Sequence, residues 1–95
     1  MAASSQSSKL LKRYFLTYRG VKLPLALGEE VDTEGVVHRE TFFCGYFDDA
    51  GQLMRIEKIV YGEIAMEHDY EYDGTGRLVR ATVTVPDEEP QVRTF

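Results

Sequence analysis

The sequence predicts an all-β protein, a six-stranded antiparallel meander that curls strongly or closes into a small barrel-like fold. Three observations lead there. Apolar and polar residues alternate with a period of two through most of residues 10–85, and no stretch of helical length carries a 3.6-residue period. Glycine-bearing turn signals stand between the alternating runs, at Arg19-Gly20, Asp48–Gly51, Tyr61-Gly62 and Asp73–Gly76. The phrase GYFDDAGQL (Gly45–Leu53) also returns as YEYDGTGRL (Tyr70–Leu78), so one hairpin is spelled twice.

In the first run, YFLTY, the large apolar residues Tyr14, Leu16 and Tyr18 fall on even positions. After Arg19-Gly20 the odd positions Val21, Leu23 and Leu25 take over. That switch fits a two-residue hairpin loop with Tyr18 opposite Val21 and Leu16 opposite Leu23. Pro24 marks the second strand as short and at an edge. Gly28–Gly35 (GEEVDTEG) reads as an acidic mobile connector.

Four strands follow, at Val37–Phe47, Gln52–Val60, Glu63–Tyr72 and Arg77–Val85. The Asp that opens each duplicated turn can accept hydrogen bonds from following amides, and the Gly that closes it tolerates a left-handed backbone. Parity places Phe42, Cys44, Tyr46, Ile56, Met66, His68, Tyr70, Val79, Ala81 and Val83 on one inward face. A bulge at Gly62 sets Ile56 opposite Met66 and Met54 opposite His68. In the last hairpin Tyr70 faces Val79 and His68 faces Ala81, which requires a two- or four-residue loop at Asp73. On the outward phase Arg55 faces Glu67 and Arg80 faces Asp69, so the row Glu63, Glu67, Asp69, Glu71 reads as cross-strand charge pairs rather than a metal site.

Six strands with one apolar face and no helix must shelter that face. At about 25 cal/mol per Å² of apolar area, leaving it wet forfeits most of the drive to fold. Curling, with the first hairpin closing the sheet, is one answer; pairing with a second copy is the other. Residues 1–9 read as a disordered tail, 10–85 as a single β domain and 86–95 as a flexible acidic tail.

The 95 residues carry a net charge of −5, with Lys9, Lys12, Arg13, Arg19 and Lys22 all preceding the first acid, Glu29. An acidic chain with no extended basic stripe makes nucleic acid an unlikely partner, and a solvated hairpin beside acidic neighbours accounts for the five cations. No run has the length of a membrane span and no signal-peptide pattern opens the chain. One cysteine, Cys44, forms no internal disulfide and fits a reducing compartment, so the expected location is cytoplasmic.

Tyr72-Asp73 followed by Gly76-Arg77-Leu78 resembles the YD-x-x-GRL signature of the YD or RHS hairpin repeat. Phe47-Asp48 with Gly51-Gln52-Leu53 is similar, with Phe and Gln replacing Tyr and Arg. That resemblance implies a hairpin and no activity. Over a longer span, YFLTYRGVKLPL (Tyr14–Leu25), FFCGYFDDAGQL (Phe42–Leu53) and EKIVYGE (Glu57–Glu63) resemble a small bacterial family of unknown function, which implies no substrate, cofactor or catalytic residue.

The leading functional expectation is a protein-binding or self-associating module without catalytic activity. Its candidate interface is Phe43, Phe47, Leu53 and Leu78, large apolar groups on the outward phase. The alternative is a small-molecule binder or enzyme with a pocket around His68, Lys58 and Tyr70. No nucleophile stands beside His68 in sequence, Lys58 can snorkel to water from a strand end, and Cys44 reads as a buried inert thiol. His38, His68 and Cys44 lack the spacing of a zinc site. No catalytic residue, metal or cofactor is assigned.

Overall fold

The structure is a computed structural model and describes residues 10–20 and 23–95. The expected N-terminal tail, Lys9, Lys22 and the pairing assigned to Val21 lie outside the described residues. Seven strands form one sheet: β1 (Leu11–Arg19), β2 (Ala26–Val31), β3 (Thr41–Phe47), β4 (Leu53–Val60), β5 (Glu63–Tyr72), β6 (Leu78–Thr84) and β7 (Gln91–Thr94). A single 3₁₀ turn, Thr33–Val36, follows β2. Every pairing is antiparallel and the order is β2-β1-β3-β4-β5-β6-β7. The expectation of six strands in a closed or strongly curled sheet is therefore corrected. The sheet is open, with β2 and β7 as its edges, and the seventh strand comes from the segment read as a flexible tail.

Strand β7 survives next to two prolines because both lie outside its paired residues. Pairs run from Arg80↔Thr94 to Val83↔Gln91, and the Phe95 amide donates to the Val79 carbonyl at 3.0 Å. Pro86 and Pro90 fall in the connection, where a missing N–H costs no ladder bond.

The apolar face finds its shelter without closure. Strand β1 pairs with β3 only from Leu11 to Phe15, whereas it pairs with β2 from Tyr14 to Arg19. Beyond Phe15 the β1–β2 hairpin is thus free of the sheet, and it lies over one face as an arm. Its connection places the Leu25 amide 3.2 Å from the Tyr70 hydroxyl on β5, three strands away from β1 in the sheet order. Glu29, with φ of 55°, interrupts the β1–β2 ladder where a Leu16–Glu29 pair would stand. Past this kink Tyr18 stacks edge-on against Phe43, with ring centroids 5.4 Å apart.

Phe15, Leu25, Phe43, Ile56, Tyr70 and Ala81 form the buried core, with Leu23, Leu27, Phe47, Leu53, Tyr72 and Leu78 packed around them. Each fully buried large side chain contributes about 1.5–3 kcal/mol relative to exposure. Gly45 allows the arm to settle. A Cβ there would stand 2.7 Å from Leu27 Cδ1, 3.1 Å from Phe47 Cε1 and 3.2 Å from Phe15 Cε1.

The first hairpin differs from expectation. Tyr18 pairs with Leu27 and Arg19 with Ala26, so the loop is longer than two residues and the second strand is Ala26–Val31. The acidic segment read as a connector supplies the end of that strand and the 3₁₀ turn, whose N-cap Asp32 accepts from the Gly35 amide at 2.9 Å.

The duplicated phrase is a duplicated turn in atomic detail. Asp48 Oδ1 accepts from the Ala50 and Gln52 amides at 2.9 and 2.8 Å; Asp73 Oδ1 accepts from the Thr75 and Arg77 amides at 2.9 and 3.0 Å. Gly51 and Gly76 close the turns with φ of 86° and 88°. In each the strand partner then skips one residue: Phe47 pairs with Leu53 but Tyr46 with Arg55, and Tyr72 pairs with Leu78 but Glu71 with Arg80. The loop at Asp73 therefore holds three residues, Gly74–Gly76, not two or four. The bulge at Val79 reverses the phase change that such a loop imposes.

These bulges explain the remaining corrections. Ile56 faces His68 and Tyr70 faces Ala81, each two residues from the expected partner and hence on the expected face. The slip in the middle hairpin lies between Lys58 and Ile59, not at Gly62, which forms a tight turn with Tyr61 at φ of 81° and 51°. In β1 and β3, however, the phase is opposite to expectation. Phe15, Phe43 and Phe47 point into the core, whereas Tyr14, Phe42, Cys44 and Tyr46 lie on the outer face.

Candidate functional site

The inner face is occupied by packing. Phe43 is 4% exposed, and Phe47, Leu53 and Leu78 pack against the core beneath the arm and the twin turns. Their assignment to an outward patch is thus corrected, because the bulges at Met54 and Val79 turn Leu53 and Leu78 inward. Phe47 and Leu53 still line an apolar slot of about 560 Å³ between the arm and the turns, together with Leu25 and Tyr72. The Tyr72 hydroxyl donates to the Leu53 carbonyl at 2.6 Å and so ties one twin turn to the other.

His68 and Tyr70 also lie on the inner face, at 5% and 2% exposure. The Tyr70 oxygen accepts the Leu25 amide, and His68 Nδ1 lies 2.7 Å from the same oxygen. The assignment that strands no proton has the Tyr70 hydroxyl donating to Nδ1, which puts the imidazole proton on Nε2. Burial lowers the His68 pKa, opposed by Asp69, and burial raises that of Tyr70 to about 12, opposed by the Leu25 amide. Both are neutral near pH 7, and together they act as a latch for the arm. Lys58 shares this face opposite Phe43 and Met66. None of four surface depressions on the described residues is lined by His68, Lys58 or Tyr70.

The outer face carries a different arrangement. Its centre is an ion network in which Arg55 contacts Glu57, Glu67 and Asp69, and the Tyr46 hydroxyl donates to Glu57 at 2.9 Å. The Arg55–Glu67 pair expected from parity forms, although diagonally, since Arg55 stands opposite Asp69. Arg80 pairs with Glu71 at 3.6 Å rather than with Asp69. Among the described residues no group of three or more His, Cys, Asp or Glu side chains is arranged to hold a metal ion.

Beside this network lies a groove of about 770 Å³ between the sheet and the segment that follows β2. Tyr14, Phe42, Cys44 and Ile59 form its floor, and Val36 forms a buried wall. The Tyr14 and Phe42 rings meet edge-on at 6.0 Å. The lips are Val37 and Tyr61, 64% and 73% exposed. Lys12 stands at one end, its ammonium 5.5 Å from the Tyr14 centroid and 5.6 Å from that of Tyr46. His38, Arg39 and Glu40 line the rest of the rim. Cys44, only 2% exposed, has its thiol pKa pushed up by burial, opposed by Lys12, which leaves it a poor nucleophile.

Sequence reasoning missed this groove. The signal was present in β3, TFFCGYF, which is apolar on both phases and so announces a strand with something to bury on each side. Alternation alone then offers no choice of face. Gly45 does, since the strand position without a side chain is the one another element approaches.

Among the described residues no helix is long and apolar enough to cross a membrane. No curated protein and no solved structure matches the chain at a significant level. A family match does, and it covers residues 7–95, nearly the whole sequence. The chain therefore belongs to the family of unknown function DUF6156.

Proposed function

We propose that this protein is a non-catalytic interaction module that holds a segment of a partner protein in the groove on its outer face. The supporting observation is the pair of exposed lips, Val37 and Tyr61, over an aromatic and aliphatic floor. Exposed apolar groups that frame a concave apolar surface are a usual mark of an interaction site. The inner-face residues support no comparable reading, since His68 and Tyr70 are engaged with each other and with the arm. The two matching turns support reading them as copies of one YD-like hairpin unit, whose work here is architectural. A lone buried thiol supports a cytoplasmic setting. Of the early cations, Arg13 is already paired with Glu30, and the chain's net charge of −5 argues against a polyanion site.

A photo-crosslinking amino acid placed at Tyr61 tests the proposal, with a second at Thr75 on the far twin turn as control. The expected result is a discrete protein adduct in cells from position 61 and none from position 75. Equal labelling at both, or none at position 61, refutes it.

Self-association is the second reading. Alternation along β7, set by the Phe95–Val79 bond, turns the Val92 and Thr94 backbone groups toward the open edge. Concentration-dependent sedimentation abolished by Val92→Pro would support it over the groove.

A further inference from the structure

The groove reading leaves the partner's chemistry open, and the charges around the groove narrow it. Arg13, Arg55 and Arg80 each have a carboxylate within ion-pair distance. Among the described residues Lys12 has none; its ammonium rests instead between the Tyr14 and Tyr46 rings. Glu57, the network acid bonded to Tyr46, is also held by Arg55. The Arg39 Nε is turned away to the Gly35 carbonyl at 3.2 Å, leaving its terminal nitrogens free of any such bond to the described residues. The charged side chains that line the groove are Lys12, Arg39 and Glu40, a positive excess of one on a chain of net charge −5.

We propose that the groove recognises an acidic peptide segment in which an Asp or Glu stands next to an aliphatic or aromatic side chain. The carboxylate pairs with the Lys12 ammonium at the end of the groove. The neighbouring apolar group enters between Val37 and Tyr61 onto Phe42 and Ile59. This deepens the interaction-module reading and rests on it. Lys12 gives orientation and preference for sign, while the apolar floor supplies the bulk of the affinity.

The test uses the full chain and random peptides displayed on phage. Selection is expected to enrich peptides with an acid beside a large apolar residue. For a synthetic winner, Lys12→Met is expected to weaken binding about fivefold at low salt, and much less at high salt. The same substitution leaves the winner's Glu→Gln or Asp→Asn derivative unaffected. Circular dichroism confirms the variant's fold. Enrichment of neutral apolar peptides that are lost with Tyr61→Ser overturns the acidic preference while preserving the groove. Equal weakening of acidic and amide peptides by Lys12→Met also overturns it. Absence of any enrichment overturns the preference and the groove reading together, as does self-association blocked by Tyr61→Ser.

Discussion

Tyr70→Phe removes one oxygen from the interior and leaves the ring in place. That oxygen serves two groups, the Leu25 amide at 3.2 Å and His68 Nδ1 at 2.7 Å, both at positions that exclude water. Each lost hydrogen bond costs about 1 kcal/mol net, and a buried donor left without an acceptor adds its desolvation, for a total of roughly 2–3 kcal/mol. Small domains are stable by only about 5–15 kcal/mol, so the loss is a large fraction. Urea titration followed by circular dichroism measures it, with the midpoint expected to fall at an unchanged slope. Tyr72→Phe is the control. Its hydroxyl donates to a single carbonyl, Leu53, at the half-buried margin, and about 1 kcal/mol is expected there. A Tyr70→Phe loss below about 0.5 kcal/mol, or one no larger than that of Tyr72→Phe, would refute the idea that the hydroxyl pins the arm.

Four further outcomes follow from the same geometry. His68 is held neutral by burial, so its folded pKa lies below the ordinary value; stability is expected to be level above about pH 6.5 and to fall as the pH drops toward the lowered value. His68→Gln should flatten that part of a pH series of urea midpoints. Gly45→Ala forces Leu27, Phe47 and Phe15 apart and should cost about 1–3 kcal/mol, partly relieved by Leu27→Val in a double-mutant comparison. Gly51→Ala places a Cβ in open space and Gly76→Ala places one in ordinary contact with Gln52 Nε2 at 3.5 Å, both at positive φ, so both should lose about 1–2 kcal/mol and agree closely in thermal unfolding. Cys44 should resist iodoacetamide at pH 8 in the native protein and react promptly in denaturant, as mass spectrometry would show.

Much of the architecture can be read without coordinates, and the failures share one cause. Turn chemistry is local, so Asp48 with Gly51 and Asp73 with Gly76 announce their hairpins in nearest-neighbour terms. The span of β5 and the shared face of Ile56, His68, Tyr70 and Ala81 are legible for the same reason: alternation there is clean. A bulge leaves no such mark. Met54 and Val79 look like ordinary strand residues, yet each reverses the phase across its hairpin: the bulge at Met54 puts Phe43 and Phe47 on the core side, and that at Val79 turns Leu78 inward. Strand β7 was hidden between prolines, and the position of the arm depends on a contact between Leu25 and Tyr70 that no local pattern encodes. The groove is only half legible: β3 signals a second buried face, but the wall from the segment after β2 is brought over the β1–β3–β4 floor by tertiary packing that no local pattern encodes.

The arm has a wider consequence. Its outer half touches the rest of the molecule through side chains and the Leu25–Tyr70 bond, while its backbone ladder is self-contained. Nothing in those contacts requires that the arm and the face it covers belong to one polypeptide. At high protein concentration two chains can trade arms and reproduce every contact reciprocally, giving an exchanged dimer whose population rises as the latch is weakened.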